Sequence, residues 1–360
     1  MVLKSTGEDA YFVASNGASG FISYYPTCFD HRRVRHLYAI KGGPGTGKSR
    51  FLREVAAYGV SLGWYAEYVY CSSDASSLDG IILTREDRCI ALLDATAPHV
   101  YEPVRPGFRE ELVNLGVFWD GRLLQEQSER IEALNAQKNA AYQRAYGYLS
   151  GIGSLRACRD ALMLPYIRME EITALAEELM QGQACGNGFS ERPALIRSIG
   201  MGGVTVLDSY RARATSFTRI GDYRGCAQYL MAALRREAAR CRLSVRVSYD
   251  PVTPSAQDGL FLCERRVAFA VLPRSVCREA SEEISMRRFV RPIDDEAVKR
   301  ELEWMRQSEW RLMRATESAF GEISRAHFEL EGIYGAAMNF DAKEHFTKIF
   351  CRELFDLQND

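Results

Sequence analysis

The residues best suited to chemistry form the run Gly42-Gly43-Pro44-Gly45-Thr46-Gly47-Lys48-Ser49. It matches the spacing G-x-x-x-x-G-K-[ST], in which small residues let main-chain N–H groups surround a polyphosphate. Side chains at Gly42, Gly45 and Gly47 would block that approach or the positive φ values such a loop requires. Lys48 follows as a point charge for the β and γ phosphates, and Ser49 offers a hydroxyl ligand to Mg²⁺. The candidate binding set is therefore Gly42, Gly43, Pro44, Gly45, Thr46, Gly47, Lys48 and Ser49, with Lys48 also a catalytic candidate.

A metal held by Ser49 needs an acid from another strand. Cys89-Ile90-Ala91-Leu92-Leu93 reads as an apolar parallel strand, and Asp94 stands at its end, 46 residues beyond Lys48. Asp94 is thus the second metal and catalytic candidate. Ala95 follows where hydrolytic motors place a water-orienting Glu, which argues against fast turnover. Ser72, Asp74, Thr96 and His99 fall on loops after apolar runs and are candidates for substrate or water contacts. The strand ends of an open α/β sheet line its ligand crevice.

The flanks supply what these residues need. Leu37-Tyr38-Ala39-Ile40 is a short apolar run of the kind that forms a buried parallel strand. After the loop, Phe51, Leu52, Val55 and Ala56 fall at helical spacing, and Gly59 and Gly63 mark a stop. A helix starting near Lys48 aims its unsatisfied N–H groups and positive dipole end at the same anion.

Displacement by 179 residues lays the chain on itself: Gly42 meets Gly221, Tyr70 meets Tyr249, Asp79 meets Asp258 and Gly80 meets Gly259. With a one-residue slip, Val267–Val271 overlies Cys89–Leu93. The second copy has Cys226, Ala227 and Gln228 where the first has Gly47, Lys48 and Ser49, and Leu272 where the first has Asp94. Its phosphate cradle, charge and metal acid are gone, which leaves a structural or regulatory half or one that takes a different ligand at the same crevice.

The fold class expected is α/β, with two tandem P-loop NTPase-like parallel-sheet domains, each carrying a helical hairpin. The first domain is placed at 1–185, with its hairpin at about 120–180, and the degenerate one at 194–360, with its hairpin at about 294–357. The polar, glycine-rich stretch Gln181–Pro193 reads as the linker. Apolar or small residues recur by threes and fours from Val298 to Ile333 and from Leu124 to Tyr148, as in long helices with one narrow apolar face. Those faces suit hairpins within the chain or a homo-oligomer or protein partner.

Composition sets the boundaries. At 360 residues the chain is long enough for two domains. Lys and Arg number 46 against 47 Asp and Glu, a net charge of −1 that provides no general field for nucleic acid or anionic lipid. No run approaches the roughly 20 apolar residues of a membrane span, and Glu8-Asp9 stands where a signal peptide would be apolar, so a cytoplasmic location without membrane contact is expected. Ten scattered cysteines without a Cys-x-x-Cys pair read as reduced thiols.

The segments Tyr11–Tyr25, Ile40–Ser49, Cys71-Ser-Ser-Asp74, Ser77-Leu-Asp-Gly80, Asp94-Ala-Thr-Ala-Pro-His99, Arg325–Tyr334 and Ala337–Asp341 resemble a bacterial family of tandem P-loop proteins. Its members are described as candidate ATPases or nucleotide-kinase-like proteins of unassigned physiological role. The resemblance spans nearly the whole chain and implies a nucleoside triphosphate ligand. Members carry a glycine-lysine loop in both halves, whereas here the second has become Gly221-Asp-Tyr-Arg-Gly-Cys-Ala-Gln228.

Together these residues lead to an ATP- and Mg²⁺-binding protein with slow hydrolysis in its first half. ATP is preferred to GTP because no Asn-Lys-x-Asp motif is present. One alternative is a phosphotransferase, with Asp74 or His99 near the acceptor and a clamp from Arg85, Arg88 or Arg105. Another is a non-catalytic scaffold that ATP orders.

Overall fold

The computed structural model describes residues 2–4, 7–99, 101–181, 186–277 and 280–356. Residues 182–185 of the expected linker, and 357 at the end of the expected second hairpin, lie outside the described residues. The first half runs β1 (Val2–Lys4), β2 (Asp9–Phe12), β3 (Ala14–Gly17), β4 (Gly20–Ser23), α1 (Tyr25–Cys28), β5 (His36–Lys41) and α2 (Lys48–Ser61). It continues with β6 (Tyr65–Tyr70), β7 (Leu78–Arg85), β8 (Arg88–Asp94), β9 (Glu110–Asn114), α3 (Gly121–Glu126), α4 (Ser128–Met163) and α5 (Met169–Met180). The second half opens with β10 (Ser190–Pro193), β11 (Arg197–Gly200), β12 (Gly203–Leu207), α6 (Ser209–Arg213), β13 (Ser216–Gly221) and α7 (Ala227–Arg240). Then come β14 (Ser244–Tyr249), β15 (Gln257–Leu262), β16 (Val267–Val271), β17 (Glu282–Ser285), α8 (Glu296–Ala336) and α9 (Phe340–Asp356).

The protein is α/β with two six-stranded mixed sheets, ordered β2-β6-β7-β8-β5-β9 and β10-β14-β15-β16-β13-β17. The strand order is the same in both, and α2 and α7 are each 14 residues long and begin 179 residues apart. Even an irregularity repeats: the ladder shifts register at Val69/Tyr70 and again at Ser248/Tyr249.

The expectation of parallel sheets holds for β8, β5 and β9, which frame the glycine-rich loop. It fails at β7, which runs antiparallel to both β6 and β8. The reason is the connection. Arg85 pairs with Arg88, so Glu86 and Asp87 alone make the turn, too short for the crossover that a parallel neighbour needs. Glu86 takes φ 56, the left-handed conformation of a tight hairpin, without the Asn-Gly signal that usually announces one.

The chain forms two compact units that do not follow sequence order. The loop unit comprises Glu8–Ala10, Phe29–Gln143 and Ala319–Asp360, and the second unit comprises Met1–Gly7, Tyr11–Cys28 and Arg144–Ser318. Helices α4 and α8 each begin in one unit and end in the other. As a result the last helix of each half packs on the sheet layer of the other half. In the loop unit, α9 brings Phe346 and Phe350 against Phe51 of α2, at ring separations of 6.2 and 5.2 Å, and Phe355 against Trp64 at 5.5 Å. In the second unit Ile172, Ala176 and Met180 of α5 share a core with Leu230, Met231 and Leu234 of α7. Each large apolar side chain fully buried in this way contributes about 1.5–3 kcal/mol.

Candidate functional site

β5 ends at Lys41 and α2 begins at Lys48, so Gly42–Gly47 is the connection at the carboxyl edge of the loop unit's sheet. Gly45 and Gly47 have φ of 70 and 75, the left-handed region that favours glycine, while Gly42 is nearly extended at φ 156. Gly45 is also constrained by space: a Cβ there would stand 2.4 Å from the Glu331 carbonyl oxygen of α8.

The predicted side chains converge on this loop. Lys48 Nζ donates to the carbonyls of Gly42 at 2.7 Å and Gly43 at 2.8 Å, and lies 3.6 Å from Asp94 Oδ2. Asp94 arrives there because β8 runs parallel to β5 with Asp94 opposite Ile40. Its Oδ1 accepts from the Thr96 N–H at 2.8 Å, and the Thr96 hydroxyl donates to the Gly42 carbonyl at 2.8 Å. Burial pushes the Asp94 carboxyl above its usual range; Lys48 opposes that shift and the charge of Asp79 adds to it. The Ser49 hydroxyl accepts from the Leu78 N–H at 3.0 Å. Ala95 is buried and its N–H donates to the Ile40 carbonyl, so it contributes no side chain to the loop.

The start of α2 distinguishes the two halves. Gly47 is the N-cap, and among the described residues no side chain accepts its first-turn N–H groups. At the equivalent start of α7, the Asp222 carboxylate accepts from the Gly225 N–H at 2.9 Å and the Ala227 N–H at 2.8 Å. Arg224, in place of Gly45, keeps a left-handed φ of 55. The second loop thus shares the left-handed residue at this position but not the left-handed N-cap, since Cys226 is right-handed with φ −70, and the N–H groups at its helix start bond a side chain of the loop itself.

Other candidates separate. Asp74 accepts from Ser76 and Ser77 within its own turn, a local structural role. Ser72 is buried and its hydroxyl has no partner among the described residues. His99 is buried against Asp79, Nε2 to Oδ2 at 3.0 Å. Arg85 and Arg88 flank the β7–β8 turn, at the opposite edge of the sheet from Asp94, which removes both as a clamp on this loop. Arg105 is exposed.

One residue went unread in the sequence. Lys343 of α9 is 3% exposed, with Nζ 3.8 Å from a Glu54 carboxylate oxygen and 5.9 Å from the centre of the Phe51 ring. It also lies 3.7 Å from where a Cβ on Gly47 would stand, beside the α2 N-terminus. Burial pushes its ammonium below the usual range, against the pull of Glu54. Its equivalent on α5 is Ile172, equally buried. The available signal was a lysine on the apolar face of a helix, in line with Thr347, Cys351 and Leu354.

In the second unit, the crevice at the ends of β13, β14 and β16 holds a cavity of about 430 Å³. Its charges are matched internally. Arg156 bonds Asp250 at 2.8 Å and Glu309 at 2.6 Å, and Arg197 lies 3.5 Å from Asp250 and 3.1 Å from Asp258. Among the described residues no helix is long and apolar enough to cross a membrane. No family model, curated protein or solved structure matches the chain.

Proposed function

We propose that this chain is a Mg²⁺-dependent P-loop protein that binds ATP in its first half and hydrolyses it slowly, with the second half inactive toward nucleotide. The observation that carries this reading is the α2 N-terminus, which bonds no side chain among the described residues, whereas its counterpart on α7 donates to the Asp222 carboxylate. A phosphate group supplies the same negative charge and acceptor oxygens from outside the chain.

The donor set fits a triphosphate with its metal. First-turn N–H groups of α2 and the Gly43–Gly47 backbone bind phosphate oxygens, and Lys48, already directed into the loop, exchanges its carbonyl partners for the β and γ phosphates. Ser49 and Asp94 are the residues that would hold Mg²⁺, which when bound offsets charge on those phosphates. Lys343, delivered by α9, adds a second positive charge near Gly47. Slow hydrolysis follows from Ala95: the position after the metal acid bears no group to orient water. The edge-opposed placement of Arg85 and Arg88 weakens the phosphotransferase alternative.

Titration of labelled ATP into wild type and Lys48→Ala, with phosphate release measured alongside, tests this directly. The expected result is at least ~30-fold weaker binding in the variant, about 2 kcal/mol for a lost charge-assisted contact. Equal affinity in the two proteins would remove the loop from the function.

A further inference from the structure

Three residues of the loop unit remain outside this account, and they meet. Cys71 follows β6, Asp79 lies at the start of β7, and His99 sits on the loop after β8. The Cys71 sulfur, an Asp79 carboxylate oxygen and an imidazole nitrogen of His99 all lie within 4.8 Å of one another. The Asp79 and His99 side chains are 7% and 6% exposed, and Cys71 is half-buried, so the group is shielded but reachable from its cysteine. Cys71 Sγ also accepts the Asp74 N–H at 3.5 Å, while burial and the Asp79 charge hold the metal-free thiol well above its usual range.

The second unit shows what the same place holds elsewhere. The residues 179 positions on from Cys71 and Asp79 are Asp250 and Asp258, and the Arg197 guanidinium stands between them. There, a protein cation neutralises the pair of anionic ligands. In the loop unit the corresponding donors are sulfur, carboxylate oxygen and imidazole nitrogen, the set that suits zinc rather than magnesium.

We propose that Cys71, Asp79 and His99 form a binding site for a divalent transition metal of the zinc class, with a fourth position left for water. Zinc bonds of about 2.0–2.3 Å imply ligand-to-ligand edges of roughly 3.3–3.6 Å in a tetrahedron. The 3.0 Å separation of His99 and Asp79 is already close to that, and the remaining adjustment is about 1 Å in side chains. Binding releases the thiol proton to solvent, and the thiolate and carboxylate then balance the dication. The proposal does not rest on the nucleotide reading, although Asp79 and His99 lie within electrostatic reach of Asp94, and its test contains no nucleotide.

The test uses the full chain stripped of metal by chelator, then titrated with Co²⁺ as a spectroscopic probe and with Zn²⁺ in competition with a chromophoric chelator. One equivalent per chain is expected, with a thiolate-to-cobalt charge-transfer band. Cys71→Ser should abolish the band, and His99→Gln should weaken Zn²⁺ binding by at least about 100-fold, beyond the effect of changing a supporting residue. Cys158→Ser, at an exposed thiol, should change neither. Far-ultraviolet circular dichroism checks folding of each variant; if Cys71→Ser fails to fold, Asp79→Asn takes its place, with weakened Zn²⁺ binding expected. Absence of stoichiometric metal in wild type, or a charge-transfer band and affinity indifferent to the ligand substitutions, would overturn the proposal.

Discussion

The starts of α2 and α7 are two versions of one strand–loop–helix connection that differ in backbone as well as charge: the N-cap Gly47 is left-handed at φ 75, its counterpart Cys226 right-handed at φ −70. Both follow a parallel strand, both begin a 14-residue helix, and both are preceded by a left-handed residue, Gly45 or Arg224. At α7, Asp222 turns into the loop and accepts two N–H groups, and the arginines beyond it are paired with Asp250, Asp258 and Glu309. At α2, Gly43 occupies the position of Asp222, and the nearby cations are Lys48 and the buried Lys343. The comparison teaches that the N–H groups at a helix start can bond a carboxylate of their own loop, as they do at α7, and that among the described residues the α2 start bonds none.

The largest expected effect lies in the self-neutralised crevice. Arg156→Ala should destabilise the second unit by about 3 kcal/mol, because it removes the closest cation from Asp250 and Glu309 and leaves only Arg197 and Arg159 beside them. Denaturant unfolding measures it, and a change below 1 kcal/mol would mean that water already screens the pair. Next, Gly43→Asp makes the first loop like the second. ATP affinity should fall ~100-fold, about 3 kcal/mol, through competition and repulsion by the new carboxylate. A Cβ at Gly43 meets the Trp119 ring at 3.3 Å, so Gly43→Ala serves as the control for crowding.

The reverse experiment is milder. Asp222→Ala should cost about 1–2 kcal/mol, as for loss of a helix cap, and inorganic phosphate or sulfate should restore part of it in the variant but not in wild type. Failure of anions to raise the variant's melting temperature would break the equivalence of the two loops. Smallest is Lys343→Ile, which copies Ile172. Stability without nucleotide should hold or rise, since a buried charge is replaced by an apolar side chain, while ATP affinity should drop about tenfold.

The local signals were legible in sequence. The strand–loop–helix order around Gly42–Ser49 needed only residue type and spacing, and Asp94 reached Lys48 because a parallel β8 leaves no other register for it. The internal repeat was visible through Gly42/Gly221 and Asp79/Asp258. Hidden was whatever depended on partner choice. The turn at Glu86–Asp87 lacks a glycine, so the antiparallel β7 gave no sign of itself. The capping role of Asp222 was masked by its place in a loop that had lost its glycines and lysine. Lys343 and Cys71–Asp79–His99 acquire meaning only from residues distant in sequence, which periodicity does not connect.

The exchange of closing helices also sets an order of events during synthesis. The sheet bearing Gly42–Ser49 is translated early, yet Glu331, against which Gly45 rests, and Lys343, beside Gly47, belong to the final stretch of the chain. A ribosome that has finished β9 has made the cradle without its backing, and α5, made later, must still wait for α7 before it has a helix to pack on. The loop unit is completed only when α9 emerges, so a polypeptide stopped at the middle of the sequence would keep the motif and lack the wall behind it.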